Sequence, residues 1–277
     1  KPNESNLETR SFLNDAVNIV SLVASCAAFG IFFRWMQYMS VFDEAGLADK
    51  RRSWSFILIG AIFVFAFLFN RVIKSLRKQR CFMSANFNRA FLAEGKIYSA
   101  IYYTLGFLMF AGGAIIILTS ETHKETYLLI GLGALAILSG VAFAMNFYIA
   151  TKTDSYPTDL QCYLAHIPVL FFAYWIIVIY KQNSINSTTW AYAIRLICCM
   201  VNMVAFSRVA GFCMNVPDMK KTMFWVMMGA VFSIMSIVDR GSGIGEIVIF
   251  ATAGLMMLFY TWIIVMNLRQ KEPELTM

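Results

Sequence analysis

Residues 126–149 read TYLLIGLGALAILSGVAFAMNFYI and contain no charged side chain. A helix rises about 1.5 Å per residue, so about 20 apolar residues cross the hydrocarbon core of a bilayer, which is roughly 30 Å thick. This stretch is long enough to span a membrane, and it lacks the polar face that a helix on a water-soluble globule needs. It decides the fold class because similar stretches recur along the whole chain.

The composition of the full chain agrees with a membrane location. Hydrophobic residues make up 59% of the chain and charged residues 14%, whereas soluble domains carry about 25% charged residues. We predict an all-α, polytopic helical membrane bundle that forms a single transmembrane domain over residues 1–277. Its eight predicted spans lie near residues 13–33, 55–73, 97–118, 126–149, 160–180, 188–214, 222–238 and 244–266.

The basic residues predict how the chain is oriented in the membrane. Fourteen of the 23 Lys and Arg residues fall on the side that holds both termini, and seven fall on the other side. Because cytoplasmic loops carry the excess of Lys and Arg, we predict a multi-pass protein of the cell membrane with both termini in the cytoplasm. The residues around the first span alone favour the reverse, since Arg34 and three basic residues at 50–52 follow that span.

The segment of residues 74–96 is predicted to be a basic cytoplasmic segment at the membrane interface. Its apolar residues, Phe87 and Phe91 among them, predict helical pieces that lie on the membrane surface. We expect four basic side chains near its start to contact anionic lipid, namely Lys74, Arg77, Lys78 and Arg80. Each basic residue near such a surface contributes about 1 kcal/mol. A role as a topology signal and nothing more remains the alternative.

Two predicted spans have similar residues at their ends. Trp54 lies near the start of the second span and Arg71 near its end, and Trp190 and Arg208 have the same positions in the sixth span. Four spans separate the two copies, and an even number makes such a repeat parallel. The sequence therefore indicates a parallel 4+4 repeat, with chance similarity in a Phe-rich chain as the alternative.

The fourth span has a face of small residues. Ala136, Gly140 and Ala144 follow one another at four-residue spacing, and small residues at this spacing allow two helix backbones to approach closely. We predict a tight helix–helix contact on this face.

Arg195 and Asn202 are the predicted ligand-binding residues. They lie one heptad apart in the sixth span, so they lie on the same face of a helix. An Arg at the middle of a membrane costs at least about 2.5–3.5 kcal/mol. We predict that Arg195 and Asn202 contact an anionic ligand within the bundle. The alternative is that Arg195 reaches the outer head groups or forms a structural ion pair.

Motifs of catalytic, cofactor and metal sites are missing from the sequence. Its two histidines, His123 and His166, are far apart and no Cys-x-x-Cys occurs, so we expect neither a metal site nor a cofactor. No Gly-x-Ser-x-Gly or His-Glu-x-x-His motif occurs, which disfavours an enzyme. Nucleic acid is not an expected partner. No Asp or Glu lies in the middle of a predicted span, which argues against ion-coupled transport.

Residues 41–47 read VFDEAGL. This stretch resembles a pattern that follows the first span in uncharacterised multi-span membrane proteins of Firmicutes. Glu44 and Ala45 stand where that pattern has Pro with a Thr nearby. The resemblance covers less than a tenth of the chain, and it implies a Gram-positive source but no activity.

Two classes of function remain. In the first, a non-catalytic membrane protein binds or passes a small or lipid-like anionic molecule within the helical bundle, as in transport or lipid binding. In the second, an accessory subunit or membrane sensor acts through a partner protein or as a homo-oligomer. Membrane lipids are expected partners in both classes. A cavity beside Arg195 would favour the first class.

Overall fold

A computed structural model describes residues 2–42, 53–78, 81–82, 84, 86–91, 95–120, 126–152, 157–183, 190–214, 216–239 and 242–270. Residues 43–47 of the Firmicutes-like stretch, His123 and Arg80 lie outside the described residues. The described helices are α1 (Pro2–Val41), α2 (Ser53–Lys78), α3 (Phe87–Phe91), α4 (Lys96–Thr119), α5 (Thr126–Lys152), α6 (Asp159–Asn183), α7 (Ala193–Ala210), α8 (Met219–Met235) and α9 (Ile244–Met266).

Eight of these helices are long and apolar enough to cross a membrane, and α3 is the short exception. The prediction of an all-α polytopic bundle with eight transmembrane helices is confirmed. Six helices form a ring in which each helix from α4 to α9 packs on the next and α9 returns to α4. α1 packs outside this ring against α8 and α9, and α2 packs against α1 and α8.

The contact between α4 and α5 depends on glycine. A Cβ atom on Gly113 would lie 2.6 Å from the carbonyl oxygen of Gly133, and a Cβ atom on Gly140 would overlap the carbonyl oxygen of Gly106. Ala136 and Ala144 lie beside the same two α4 glycines. The prediction of a tight contact on the face of Ala136, Gly140 and Ala144 is confirmed.

Aromatic side chains fill the centre of the ring. The rings of Trp175 and Phe250 stack with their centroids 4.3 Å apart. The ring centroids of Phe206 and Tyr260 lie 6.4 Å apart, and those of Tyr260 and Phe91 lie 5.4 Å apart. In the described part of the chain, the ring therefore encloses a packed aromatic column instead of an open pore, which suits the dense packing of protein interiors.

Helix α3 is inserted into the ring at the end of the bundle where α2 and α9 finish; this end is called the inner end, and the opposite one the outer end. Phe87 and Phe91 are only 5% and 3% exposed. The Tyr102 hydroxyl donates a hydrogen bond to the carbonyl of Phe91, and Asn267 Nδ2 donates to the carbonyl of Ala90 at 2.9 Å. The expectation that Phe87 and Phe91 lie on the membrane surface is therefore wrong. The bundle interior offers these rings aromatic partners, which the membrane surface does not.

The first part of the basic segment belongs to a transmembrane helix. α2 continues to Lys78 and leaves Lys74 exposed. The side chains of Arg77 and Lys78, like residue Arg80, lie outside the described part of the chain. Contact of these four residues with anionic lipid stays a prediction. After α2, residues Cys81–Phe82 (β1) pair antiparallel with Arg269–Gln270 (β2), which joins the segment to the end of α9.

The parallel 4+4 repeat is not confirmed. In such a repeat, α2 and α7 would occupy equivalent positions. However, α7 lies in the ring between α6 and α8, whereas α2 lies outside the ring against α1 and α8.

Candidate functional site

A buried Arg marks the outer end of the bundle. α1 continues through Val41, so Arg34 lies within this helix and its side chain is 0% exposed. The first span therefore extends beyond its predicted end near residue 33. Arg34 Nε donates a hydrogen bond to Asp239 Oδ1 at 2.7 Å. A carboxylate from the connection between α8 and α9 compensates its charge, which makes burial tolerable.

A network of hydrogen bonds around the Arg34 guanidinium connects four parts of the fold. The guanidinium donates to Gln37 Oε1 at 2.5 Å and to the Tyr38 hydroxyl at 2.9 Å, both on α1. It also donates to the carbonyl of Ala191, just before α7, at 2.5 Å. Gln37 Nε2 in turn donates to Ser55 Oγ of α2 at 2.8 Å. These bonds hold the outer ends of α1, α2, α7 and α8 together.

Arg195 forms a second ion pair in the same region. Its Nη2 atom donates to Glu246 Oε2 at 2.8 Å, and Glu246 lies in the first turn of α9. Arg195 is 7% exposed, so it faces the bundle and not the lipid. The ion-pair alternative for Arg195 is the one that the structure contains. Arg34 and Arg195, the buried arginines among the described side chains, are thus each matched by one carboxylate.

Asn202 lies two turns after Arg195 on the same face of α7. Its Nδ2 atom donates to the Cys198 carbonyl at 2.9 Å and to Ser233 Oγ of α8 at 2.8 Å. Its Oδ1 atom is buried without a hydrogen-bond partner. Asn202 and Arg195 therefore bind α8 and α9, respectively, through protein contacts.

A cavity of about 390 Å³ opens between the outer parts of α1, α2 and α7. This volume falls in the usual range of small-molecule sites, and such sites are mostly apolar with a few polar groups. Ile59 and Ile197 on its rim are 49% and 38% exposed, so the cavity is open sideways. Its lining consists of Arg34, Gln37, Val41, Phe42, Ser55, Leu58, Ile59, Ala193, Ile194 and Ile197.

Two polar residues of the cavity lining, Gln37 and Ser55, lie side by side. Ser55 lies in the first turn of α2 and accepts a hydrogen bond from Gln37, which itself accepts one from Arg34. Leu58 and Ile59 follow one turn deeper along α2, and Ile197 lies one turn inside α7. Val41 and Phe42 lie one turn beyond Gln37 at the end of α1, so the cavity has a polar patch at Gln37 and Ser55 with apolar residues on both sides of it.

The predicted ligand residues do not line this cavity. Arg195 and Asn202 lie on α7 beside the lining residues Ile194 and Ile197, but they face α9 and α8. Sequence analysis missed Gln37 and Ser55. The one available signal was the absence of a turn residue between Phe33 and Ser40, which is compatible with a longer first helix.

Metal-ligating side chains are not gathered anywhere in the described part of the chain: no group of three or more His, Cys, Asp or Glu could hold a metal ion there. His166 Nδ1 lies 2.7 Å from the Cys162 carbonyl of its own helix.

Comparison of the chain with protein-family profiles, with curated proteins and with solved structures finds no match. The candidate site therefore rests on its own geometry.

Proposed function

We propose that this integral membrane protein is non-catalytic and binds a small or lipid-like anionic molecule in the cavity between α1, α2 and α7. The observation that carries this proposal is the cavity itself, which opens sideways and has a polar patch at Gln37 and Ser55. A molecule with a polar head and an apolar tail would fit with its head at this patch. Its tail would pack on Leu58, Ile59 and Ile197.

Hydrogen bonding contributes more to head-group recognition than net charge in this proposal. Arg34 lies at the cavity wall, but Asp239 offsets its charge and three further acceptors occupy its donors. Gln37 and Ser55 remain the groups best placed to bond with head-group oxygens. Arg34 still favours an anionic head over a cationic one, because Arg34 belongs to the cavity lining and Asp239 does not.

Binding is supported over passage through the ring. The aromatic column of Trp175, Phe250, Phe206, Tyr260 and Phe91 occupies the centre between α4 and α9. The cavity lies outside this column and faces the lipid, so a lipid-like molecule reaches it from the bilayer. In this proposal Arg195 and Asn202 hold the α7 wall of the cavity in place, since they fix α7 to α9 and α8.

The test compares two Trp substitutions on α2. Ile59→Trp fills the cavity from its rim, whereas Ile57→Trp adds the same bulk at a residue that is 44% exposed and outside the lining. Protein purified in nanodiscs is assayed for retention of a fluorescent anionic phospholipid and of its zwitterionic counterpart. We expect Ile59→Trp to lose retention by about tenfold, equivalent to about 1.4 kcal/mol, and Ile57→Trp to match the parent protein.

Two further results decide the details. Gln37→Leu should weaken retention of the anionic lipid, because the head group loses its amide partner. Equal retention by the parent, Ile59→Trp and Ile57→Trp proteins would overturn the proposal. That result would favour the alternative function, an accessory subunit or membrane sensor that acts through a partner protein or as a homo-oligomer.

A further inference from the structure

Two cysteines meet at the inner end of the bundle, at the opposite membrane face from the cavity. Cys162 lies in the first turn of α6, and Cys213 lies in the turn that follows α7. Cys162 Sγ donates a hydrogen bond to the Cys213 carbonyl at 3.2 Å, so the two cysteines are in direct contact. Cys162 is half-buried and Cys213 is 4% exposed. A reagent can therefore reach the pair through Cys162.

The neighbours of both cysteines hold helix α3. Gln161, next to Cys162, donates through Nε2 to Asn88 Oδ1 of α3 at 3.0 Å. Phe212, next to Cys213, packs edge-to-face on Phe91 of α3 with the centroids 5.2 Å apart. The two elements that carry the thiols, α6 and the turn after α7, are thus the same two elements that contact α3.

We propose that Cys162 and Cys213 form a dithiol site that binds neutral trivalent arsenic compounds, with the arsenic bridging both sulfur atoms. This bridge holds α3 in its buried position. The ligand class follows from the number of donors. In the described part of the chain no third His, Cys, Asp or Glu joins the pair, so a cation that needs three or four protein ligands lacks them. A trivalent arsenical needs only two sulfurs.

The chemistry also suits a buried site. Burial, followed by the neighbouring Cys162 thiol, raises the pKa of Cys213, so its sulfur is protonated at neutral pH. In the reaction with phenylarsine oxide, two S–As bonds form while the two S–H bonds and the As–O bonds break. The oxygen leaves as water with both protons, and arsenic remains trivalent. The product is neutral, so no thiolate charge is left in the apolar surroundings.

The site is tested with phenylarsine oxide on the purified full-length chain, using intact mass and peptide mapping. We expect about one arsenic per chain, because sulfur is a soft ligand that prefers soft partners, and we expect it on the peptides that contain Cys162 and Cys213. Cys162→Ala and Cys213→Ala should each abolish the adduct. Mapping in the parent protein keeps the test valid if either variant fails to fold.

Two cysteine substitutions serve as controls. Cys198→Ala removes one of the adjacent pair Cys198 and Cys199, which is fully buried in α7, and Cys26→Ala removes a buried cysteine of α1. Both should keep the adduct. An adduct that maps to Cys198 and Cys199, or one that survives Cys162→Ala, would overturn the proposed site.

Hydrogen exchange tests the second half of the proposal. The bridged protein should exchange the amides of Phe87–Phe91 more slowly than the free protein, because opening of α3 requires α6 and the turn after α7 to separate. Unchanged exchange at α3 together with a mapped adduct would overturn the effect on α3 but not the site. None of these results depends on lipid binding at the outer cavity.

Discussion

Arg34 Nε lies 2.7 Å from Asp239 Oδ1, although the two residues are separated by 205 positions in the chain and both side chains are fully buried. The pair fixes α1, which packs outside the six-helix ring, to the connection between two helices of the ring. One wall of the outer cavity therefore depends on a contact between opposite ends of the sequence.

Removal of one partner from this pair should strongly reduce the stability of the fold. Asp239→Leu leaves the Arg34 charge buried without compensation, which typically costs about 3–5 kcal/mol. The double variant Arg34→Met with Asp239→Leu removes both charges and should lose less stability than Asp239→Leu alone. Thermal unfolding in detergent measures both, with Lys74→Met at an exposed position of α2 as the control. A double variant less stable than the single one would show that the pair is not a coupled unit.

Close packing of α4 on α5 should not tolerate a methyl group. Gly140→Ala places a Cβ atom against the carbonyl oxygen of Gly106, and such overpacking costs about 1–3 kcal/mol. Gly60→Ala on α2 is the matched control, because nothing lies within 4 Å of its Cβ position. That control should be neutral or slightly stabilising, since Ala is the better helix former. Unfolding midpoints of the two variants give the comparison, and equal midpoints would contradict the tight contact.

Asp218 caps α8 and should make stability depend on pH in the acid range. Its Oδ1 atom accepts a hydrogen bond from the Lys221 backbone N–H at 3.0 Å. This bond, together with the Lys221 ammonium, lowers the pKa of Asp218 despite some opposing burial. Because the folded pKa lies below the unfolded one, the stabilisation is present above the unfolded pKa and is lost as the pH falls through the folded pKa.

Substitutions of Asp218 separate its cap from its charge. Asp218→Ala should cost about 1 kcal/mol at neutral pH through loss of the cap. Asp218→Asn keeps a capping oxygen and should lose the pH dependence below about pH 4. Unfolding midpoints between pH 3 and 7, in steps of about one unit, follow both effects. An Asn variant with the same acid dependence as the parent protein would assign that dependence to another group.

Neutralising the basic segment should separate lipid binding from a topology role. Replacing Lys74, Arg77, Lys78 and Arg80 together with Gln leaves Arg71, Arg89 and Lys96 in place. If the segment binds anionic lipid, loss of four charges removes about 4 kcal/mol of attraction at low salt. High salt should shrink the difference between parent and variant, because it screens surface charges. Co-purified anionic lipid is the measurement, and equal amounts would leave the segment as a topology signal.

Thiol labelling tests the orientation of the chain. If both termini are cytoplasmic, Asn186→Cys should react in intact cells with a reagent that does not cross membranes, whereas native Cys81 should not. Position 186 follows α6 in the sequence and Cys81 follows α2, and these two helices end on opposite sides of the bundle. The opposite labelling pattern would reverse the orientation.

The sequence alone determined the class of the fold and the number of its spans. Apolar length is a local property: each stretch such as 126–149 must bury its backbone polar groups in a helix to enter lipid, whatever the other helices do. The close face of Ala136, Gly140 and Ala144 was predictable for the same reason, since its spacing along one helix is sufficient to define it.

Tertiary structure decided where the charges and the cavity lie. Arg34 and Arg195 need carboxylates within the membrane, and Asp239 and Glu246 near the outer ends of α8 and α9 are suitable partners. However, which Arg pairs with which acid depends on how eight helices pack, and nothing local in the sequence encodes it. The same holds for α3, whose Phe87 and Phe91 are equally compatible with a membrane surface and with the aromatic interior that buries them. Burial free energy is non-directional, so only the packed neighbours select between these two environments.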